Sequence, residues 1–343
     1  MLDRHLGNFL VASPVLAALA ARRQSQLVVH GPHLALIQRM PALKCPVLTL
    51  GRGGGRLREF WNFAKLLQRV RAQKPAIAVD FGGSGSGGTV GAFSGAPRRI
   101  CRDSAPYARR FNEHVRKPEN TVHRIDIYGA IGRAVEPDLS WARPELAALP
   151  EDATRLQKVA KTQQIPVDRP WVCLHVAGGK SYKHWPLDRY AQLIDALYAR
   201  GMQPLLIGAG PDRGAADQVS ALAQTKPIDL VEKIDIGTLI GLFRNTALFI
   251  GNDSGPMHMA AASGTPIVAL FGPTDPERWG PLTDQVVVVR GTEPIPPSEG
   301  KKTFPDGRRM DSIPVDAVLQ AIDEAGERFR TRLPFDHSPG TQT

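Results

Sequence analysis

Cysteines, aromatic residues and long apolar runs are all scarce in this sequence of 343 residues. The three cysteines, Cys45, Cys101 and Cys173, are widely spaced and odd in number, so they predict neither a disulfide framework nor a paired-cysteine metal site. No apolar run reaches the roughly 18 residues that a membrane-spanning helix needs, and the N-terminus lacks the pattern of an export signal. Aromatic residues make up only 6% and no recognised nucleic-acid motif is present, so nucleic acid is the least expected partner. These absences favour a protein of the reducing cytoplasm.

Basic residues are abundant, and their excess is confined to one half of the chain. Residues 1–150 hold 22 Lys and Arg against 10 Asp and Glu, whereas the remainder holds 21 against 23, so the balances are +12 and −2. Residues 1–73 alone hold 11 basic and 2 acidic side chains. A basic half predicts an acidic partner, which is a nucleic acid, an anionic membrane face or a phosphorylated acceptor. The alternative is a solvated basic surface without a partner.

Short buried runs alternate with amphipathic stretches along the whole chain. This alternation predicts an α/β fold with parallel, doubly wound sheets. In the first half it places strands at 26–30, 46–50 and 75–80, a helix at 57–73 with Phe60 on its apolar face, and a glycine-rich loop at 81–88.

The second half repeats the same rhythm more clearly. Strands are predicted at 171–176, 204–207, 247–250 and 266–271, and a helix at 187–200 that Gly201 closes. Ligands of such sheets bind at the carboxyl ends of the strands, where the polar and glycine-rich loops of this half fall.

The first candidate site is the segment 250–258, where a buried strand leads into a helix. Pro256 suits the first helical turn, and Asp253 or Ser254 is the expected N-cap. Free backbone N–H groups and the positive end of the helix dipole suit a phosphate. A purely structural cap is the alternative. The candidate ligand-binding residues of this segment are Asp253, Ser254, Gly255 and His258.

The second candidate site is the loop over 177–186, which also follows a strand and precedes a helix. Gly178 and Gly179 permit close approach of a ligand to the backbone, and Lys180 and Lys183 supply positive charge. The spacing matches neither the Walker A loop nor the dinucleotide fingerprint. The prediction that this loop binds phosphate therefore rests mainly on its position in the same half of the chain as the first candidate site.

At these two segments the sequence resembles glycosyltransferase family 9, the bacterial heptosyltransferases of lipopolysaccharide core synthesis. The resemblance is carried by Lys-His-Trp-Pro at 183–186, Asn-Asp-Ser-Gly-Pro-Met-His-Met-Ala-Ala at 252–261 and the run 266–276. Weaker similarity at 76–83 and 310–319 extends it over nearly the whole chain.

The resemblance implies a GT-B fold, in which two Rossmann-like doubly wound domains face each other across a cleft. The expected domains are an N-terminal acceptor-binding domain at 1–150, a C-terminal nucleotide-sugar domain at 165–315, and a C-terminal helix and tail at 316–343. The family's first strand is expected to be missing from the N-terminal domain, because only five residues precede Leu6.

The resemblance also implies an activity, which is inverting, metal-independent transfer of a sugar from a nucleotide donor, usually ADP-heptose, to an anionic lipid-linked glycan. No metal or cofactor is expected. Lys183 would neutralise the departing diphosphate together with Ser254, Gly255 and His258, and Asp253 would hold the sugar. Thr274 and Asp275 would line the same pocket, and Asp212 would meet the ribose hydroxyls.

One departure from the family pattern bears on catalysis. Asn8 stands where the family has an aspartate proposed as the general base, and an amide cannot accept the proton of the acceptor hydroxyl. Asp80, at the end of a predicted strand, is the substitute candidate, and Asp3, His5 and His258 are others. The alternative for Asp80 is a carboxylate that caps its own loop.

Three functions therefore remain in competition. The first is a heptosyltransferase-like enzyme in the cytoplasm that associates peripherally with the inner face of the inner membrane through its basic half. The second is a GT-B enzyme with another sugar-nucleotide donor, including an epimerase. The third is a catalytically weakened sugar-nucleotide or lipid-binding protein, which Asn8 and the missing strand motivate.

Overall fold

The computed structural model describes residues 6–50, 55–82, 85–119, 121–295 and 307–329. The candidate bases Asp3 and His5 lie outside these residues. The chain divides into two compact units, Met1–Leu146 and Ala147–Thr343. No helix of the described residues is both long and apolar enough to cross a membrane.

Unit 1 alternates short strands with helices. Its helices are α1 Leu6–Arg22, α2 Leu34–Ile37, α3 Arg56–Ala72, α4 Gly85–Phe93 and α5 Arg124–Val135. Its strands are β1 Leu27–His30, β2 Val47–Leu50, β3 Ile77–Val79, β4 Arg98–Arg102 and β5 Glu113–Val115.

The strands of unit 1 are all parallel, but they form two separate sheets. β1 pairs with β2, and β3, β4 and β5 form a second sheet in that order. Within the described part of the unit, no strand joins the two sheets. Helix α3 covers β2 through Leu66 and Val70, which pack with Leu48, Leu50 and Val90.

Two predictions for unit 1 are wrong. Phe60 was expected on the buried face of α3, yet it is 63% exposed. The buried stripe of the helix runs through Leu66 and Val70, and a period of 3.6 residues places Phe60 roughly 90° away from its centre.

The glycine-rich stretch over 81–88 was expected to be a loop, yet its second half begins helix α4. A Cβ atom at Gly88 would lie 2.0 Å from the ring of Tyr107, and one at Gly91 would lie 2.8 Å from the ring of Phe111. These two glycines therefore serve close packing inside a helix rather than a change of chain direction.

Unit 2 follows the predicted alternation closely. Its strands are β6 Trp171–His175, β7 Gln203–Leu206, β8 Ile228–Asp229, β9 Leu248–Asn252, β10 Ile267–Phe271 and β11 Val286–Arg290. Its helices are α6 Pro150–Thr162, α7 Leu187–Ala199, α8 Arg213–Leu222, α9 Ile236–Asn245, α10 Gly255–Ala262, α11 Pro276–Trp279 and α12 Val315–Phe329. Gly201 has a φ of 78° just after α7, as a glycine that ends a helix should.

One six-stranded parallel sheet organises unit 2, in the order β11-β10-β9-β6-β7-β8. The four inner strands, β10, β9, β6 and β7, are almost fully buried and largely apolar, because helices cover both faces of a parallel sheet. The chain runs outward from β6 to β8 and then returns to the other side of β6 with β9. Strand order therefore reverses between β6 and β9, which is where ligands of doubly wound sheets bind.

Candidate active site

The carboxyl ends of β6 and β9 bring the two sequence-predicted loops side by side. His175, the last residue of β6, pairs with Gly251 near the end of β9. Gly178 continues the first loop with a φ of 141°, a conformation that side chains rarely adopt. The candidate site thus lies on the two central strands of the sheet.

Buried hydrogen bonds hold the two loops together. Asn252, only 1% exposed, donates to the carbonyl of Ala177 at 3.3 Å and accepts from the backbone N–H of Trp185 at 3.3 Å. The same side-chain oxygen accepts from the Tyr190 hydroxyl at 3.2 Å. Trp185 is fully buried and donates its indole N–H to the carbonyl of Ile313 at 2.9 Å. This anchoring fixes the chain on either side of the loop that carries Lys183.

The ammonium group of Lys183 lies 2.6 Å from a carboxylate oxygen of Asp253. The Asp253 side chain is 8% exposed and that of Lys183 is 23% exposed. Asp253 thus pairs with a lysine of the neighbouring loop, and Ser254 takes the N-cap position of α10. An ammonium has three N–H donors, so Lys183 keeps donors for a ligand after this bond.

Ser254 occupies the N-cap of α10 without capping it. Its backbone is extended, and its side chain makes no hydrogen bond to the first turn of the helix. The hydroxyl lies 3.1 Å from Nδ1 of His175 instead. The first backbone N–H groups of a helix have no partner within the helix, and here the N-cap side chain leaves them to a ligand or to solvent.

His175 is a site residue that the sequence analysis missed. It is 2% exposed, and its Nε2 lies 3.4 Å from Oδ2 of Asp212, which also accepts from the backbone N–H of Ala209 at 2.8 Å. Burial alone would raise the pKa of Asp212, but the hydrogen bonds from His175 and from the Ala209 N–H bring it below its usual value. The signal in the sequence was a polar residue at the end of an otherwise apolar strand.

Lys183 is paired with Asp253, and the next residue, Ser254, is joined to Asp212 through the ring of His175. The remaining candidates of unit 2 take no part in these contacts. Lys180 is exposed and Thr274 is buried, and neither makes a side-chain hydrogen bond within the described chain. Asp275 caps α11 by accepting from the N–H of Glu277 at 3.1 Å. His258 is 6% exposed in α10, Gly255 begins that helix, and Gly179 has open space where a Cβ would be.

The candidate bases of unit 1 have different surroundings. Asp80 follows β3, is 1% exposed, and accepts from the Tyr107 hydroxyl and from the N–H of Gly82 at 3.3 Å. Burial and then the charge of Asp80 raise the pKa of Tyr107. Asn8 lies half-buried in the first turn of α1.

Comparison with known proteins identifies the family. Residues 63–305 match the sequence profile of glycosyltransferase family 9 (heptosyltransferase). The chain is 25% identical over 300 residues to lipopolysaccharide heptosyltransferase 3 of Escherichia coli K12, covering 83% of this chain and 85% of that one.

Solved structures agree on the fold. The family 9 glycosyl transferase of Veillonella parvula superposes with a TM-score of 0.80 at 20% identity, covering 95% of both chains. The ADP-heptose lps heptosyltransferase II of E. coli gives 0.78 at 20% identity, covering 96% of this chain and 98% of that one. The fold is therefore of the GT-B class, with two Rossmann-like units. The profile match covers well over half of the chain, and the protein belongs to glycosyltransferase family 9 and is a glycosyltransferase.

Proposed function

We propose that the enzyme transfers heptose from ADP-heptose to a lipopolysaccharide core or a related glycan. The observation that carries the proposal is the convergence of Lys183 and the uncapped start of α10 at the strand-order reversal of unit 2. Relatives named as lipopolysaccharide and lipooligosaccharide heptosyltransferases support the choice of sugar and acceptor.

In the proposed donor complex, the diphosphate lies at the start of α10 and accepts hydrogen bonds from the ammonium N–H groups of Lys183 that Asp253 does not use. Asp253 holds sugar hydroxyls through the oxygen that Lys183 leaves free, and Asp212 with His175 supports the ribose end. Gly178 and Gly179 let the donor approach the backbone. Lys180, His258, Thr274 and Asp275 are proposed as outer contacts of the same donor.

In the proposed reaction, the acceptor oxygen bonds to C1 of the sugar while the bond from C1 to the departing phosphate oxygen breaks on the opposite face. The anomeric centre inverts, the acceptor proton passes to a base, and Lys183 with the start of α10 neutralises the ADP. No metal or cofactor takes part. Asp80 is the proposed base, because an amide at Asn8 cannot accept a proton.

Unit 1 is proposed to take the anionic lipid-linked acceptor on the inner face of the inner membrane. It holds 22 basic and 10 acidic residues, whereas unit 2 holds 21 and 23. A surface of this charge attracts phosphorylated glycans and anionic lipids.

A transfer assay with a soluble, deacylated, heptose-deficient core acceptor tests the proposal. We expect ADP-heptose to serve as donor in the presence of EDTA, UDP- and GDP-sugars to be poor donors, and NMR of the product to display inverted configuration. Transfer from a UDP- or GDP-sugar in preference would replace the proposed donor, and a loss of turnover in EDTA would contradict the metal-independent mechanism.

Lys183→Ala tests the site itself, with Lys226→Ala as the matched control because Lys226 is an exposed lysine of the same unit. Loss of a charge-assisted bond of about 1.5–3 kcal/mol predicts roughly ten- to a hundredfold weaker binding of ADP for Lys183→Ala only. Equal affinity of the two variants in calorimetry would remove Lys183 from the site.

A second candidate function, a weakened enzyme that mainly binds sugar nucleotides, is favoured by Asn8. Asn8→Asp restores the carboxylate of the family pattern. A large gain in transfer would support the weakened enzyme, and unchanged, substantial transfer would dismiss it.

A further inference from the structure

The first two turns of α3 present three large apolar side chains to solvent. Leu57 is 78% exposed, Phe60 63% and Trp61 60%. Their spacing of three and four residues places them in one stripe along the helix, and the rings of Phe60 and Trp61 lie edge to face with centroids 6.0 Å apart. Contiguous exposed apolar surface of this kind marks an interaction site more often than a single exposed side chain does.

This stripe is not needed for the core of unit 1. The core uses the other side of α3, where Leu66, Val70 and Phe63 pack against β2. Trp61 lies nearly opposite that buried side, since five residues, or about 500° of helical rotation, separate it from Leu66. Helix α3 is therefore apolar on two faces, and among the residues that the structure describes only one of these faces is covered.

Positive charge flanks the exposed stripe. Arg58, Lys65 and Arg69 are all exposed on α3, and Glu59 is the only acidic residue of the helix. A second copy of the chain seated on the stripe would bring these like charges together. An apolar stripe that carries Trp and is bordered by Arg and Lys has the composition of a helix that lies in the plane of a membrane interface.

We propose that this face of α3 docks the protein on an anionic lipid bilayer. Leu57, Phe60 and Trp61 enter the region between headgroups and acyl chains, and Arg58, Lys65 and Arg69 meet the lipid phosphates. The inference deepens the membrane association within the proposed function and rests on it, because it names the surface that makes the contact.

Vesicle co-sedimentation of the full chain tests this surface. The vesicles contain roughly three parts phosphatidylethanolamine to one part phosphatidylglycerol, with pure phosphatidylcholine as the neutral comparison. We expect the parent to partition onto the anionic vesicles, and Phe60→Ser/Trp61→Ser to partition about tenfold or more weakly. The matched control is Val167→Ser/Leu222→Ser, which removes two exposed apolar side chains of unit 2 and should bind as the parent does.

Fluorescence quenching locates the contact directly. Brominated lipids should quench the parent more than Trp61→Phe, which keeps the stripe apolar and still binds. Equal quenching of the two proteins, equal partitioning of parent and Phe60→Ser/Trp61→Ser, or equal binding to neutral and anionic vesicles would each overturn the proposal. A parent dimer that Phe60→Ser/Trp61→Ser dissociates would likewise overturn it in favour of self-association.

Transfer to the soluble deacylated acceptor separates this inference from the proposed function. We expect Phe60→Ser/Trp61→Ser to retain that transfer, since α3 contributes no group to the donor site or to the proposed base. Vesicle binding without any transfer would contradict the proposed activity alone, and transfer without vesicle binding would contradict the docking surface alone.

Discussion

A buried histidine stands at the centre of the proposed donor site. Asp212 can only accept when it is ionised, so in the neutral ring Nε2 of His175 donates to it and Nδ1 accepts from the Ser254 hydroxyl. The proton position follows from this donor and acceptor pattern. His175 thereby directs the oxygen lone pairs of Ser254 away from the ring, and it is a positioning residue rather than a catalytic one.

We expect His175→Ala to weaken ADP binding about tenfold, because the buried hydrogen bond to Ser254, worth roughly 1 kcal/mol, is lost and Asp212 loses one of its two donors. His175→Gln should recover much of the affinity, since an amide both donates and accepts. Calorimetry gives the affinities, and thermal unfolding checks that both variants fold. If His175→Ala bound ADP as tightly as the parent, the hydrogen bond between His175 and Ser254 would have no role in ADP binding.

The lowered pKa of Asp212 predicts a particular dependence of stability on pH. A carboxylate with a depressed folded-state pKa stabilises the fold above the unfolded pKa of about 3.9, and this contribution disappears as pH falls through the folded value. Denaturation midpoints measured from neutral pH to about pH 3 should therefore fall less steeply for Asp212→Asn than for the parent. Parallel curves would mean that His175 does not stabilise the ionised carboxylate.

Asp80, which accepts from the Tyr107 hydroxyl, is either the catalytic base or a carboxylate that only holds its own loop, and these two roles predict different effects on kcat. A base at Asp80 predicts that Asp80→Asn lowers kcat by about 10²–10⁴-fold, whereas Tyr107→Phe keeps the carboxylate and most of the turnover. We expect this outcome, together with a loss of about 1–3 kcal/mol of stability in Tyr107→Phe because the carboxylate loses a donor. Unchanged kcat in Asp80→Asn would assign the residue to its loop alone.

At the scale of elements, the loop after β6 contains one unusual backbone conformation. Gly178 has a φ of 141°, and the nearest atom to an added Cβ is 3.7 Å away, so a side chain there would suffer from backbone strain and not from collision. Gly178→Ala should cost roughly 1–3 kcal/mol of stability. Gly179→Ala is the matched control, because its Cβ would meet nothing within 4 Å and it should be nearly neutral in urea denaturation. Similar losses in both would indicate that the loop rearranges.

The same scale explains which elements were predictable. Four of the six strands of unit 2, β6, β7, β9 and β10, were located within two residues of their observed ends, because burial on both faces demands unbroken apolar runs. The edge strands β8 and β11 were not predicted, since β8 has only two residues and β11 is only alternately buried. Periodicity gave the limits of α3 but misplaced Phe60, since a helix with two apolar faces does not reveal which one the protein covers. The glycine content wrongly predicted a loop at the start of α4. The glycines there leave room for the rings of Tyr107 and Phe111 and do not form a turn.

Long-range pairing explains what was missed in the site. The sequence placed Lys183, Asp253 and Ser254 in two loops of one domain, and the register of β6 with β9 joins those loops. Asp253 was a candidate cap until Lys183, which lies 70 residues away along the chain, proved to be its partner. His175 was read as part of a strand because nothing local distinguishes a buried histidine with two distant partners from one without any.

At the scale of the whole molecule, the two units differ in both charge and construction. Unit 2 is nearly neutral and has one continuous six-stranded sheet with a shared hydrophobic core, which α12 completes through Val318, Ala321 and Ile322. Unit 1 carries the excess of basic residues, and its strands form two smaller sheets. The proposed donor residues all belong to unit 2, and the proposed base and docking surface belong to unit 1.

This division predicts that the fragment 147–343 folds alone and binds ADP with the affinity of the full chain, but does not transfer sugar. The reason is that the core of unit 2 and every proposed donor contact lie within the fragment. Bound ADP at about 100 times its Kd should add roughly 2.7 kcal/mol to the stability of the fragment. Thermal unfolding with and without ADP measures this, and the fragment with Lys183→Ala should gain less at the same concentration. A fragment that folds but binds ADP much more weakly than the full chain would mean that the donor also needs residues of unit 1, and the assignment of donor binding to unit 2 alone would then be wrong.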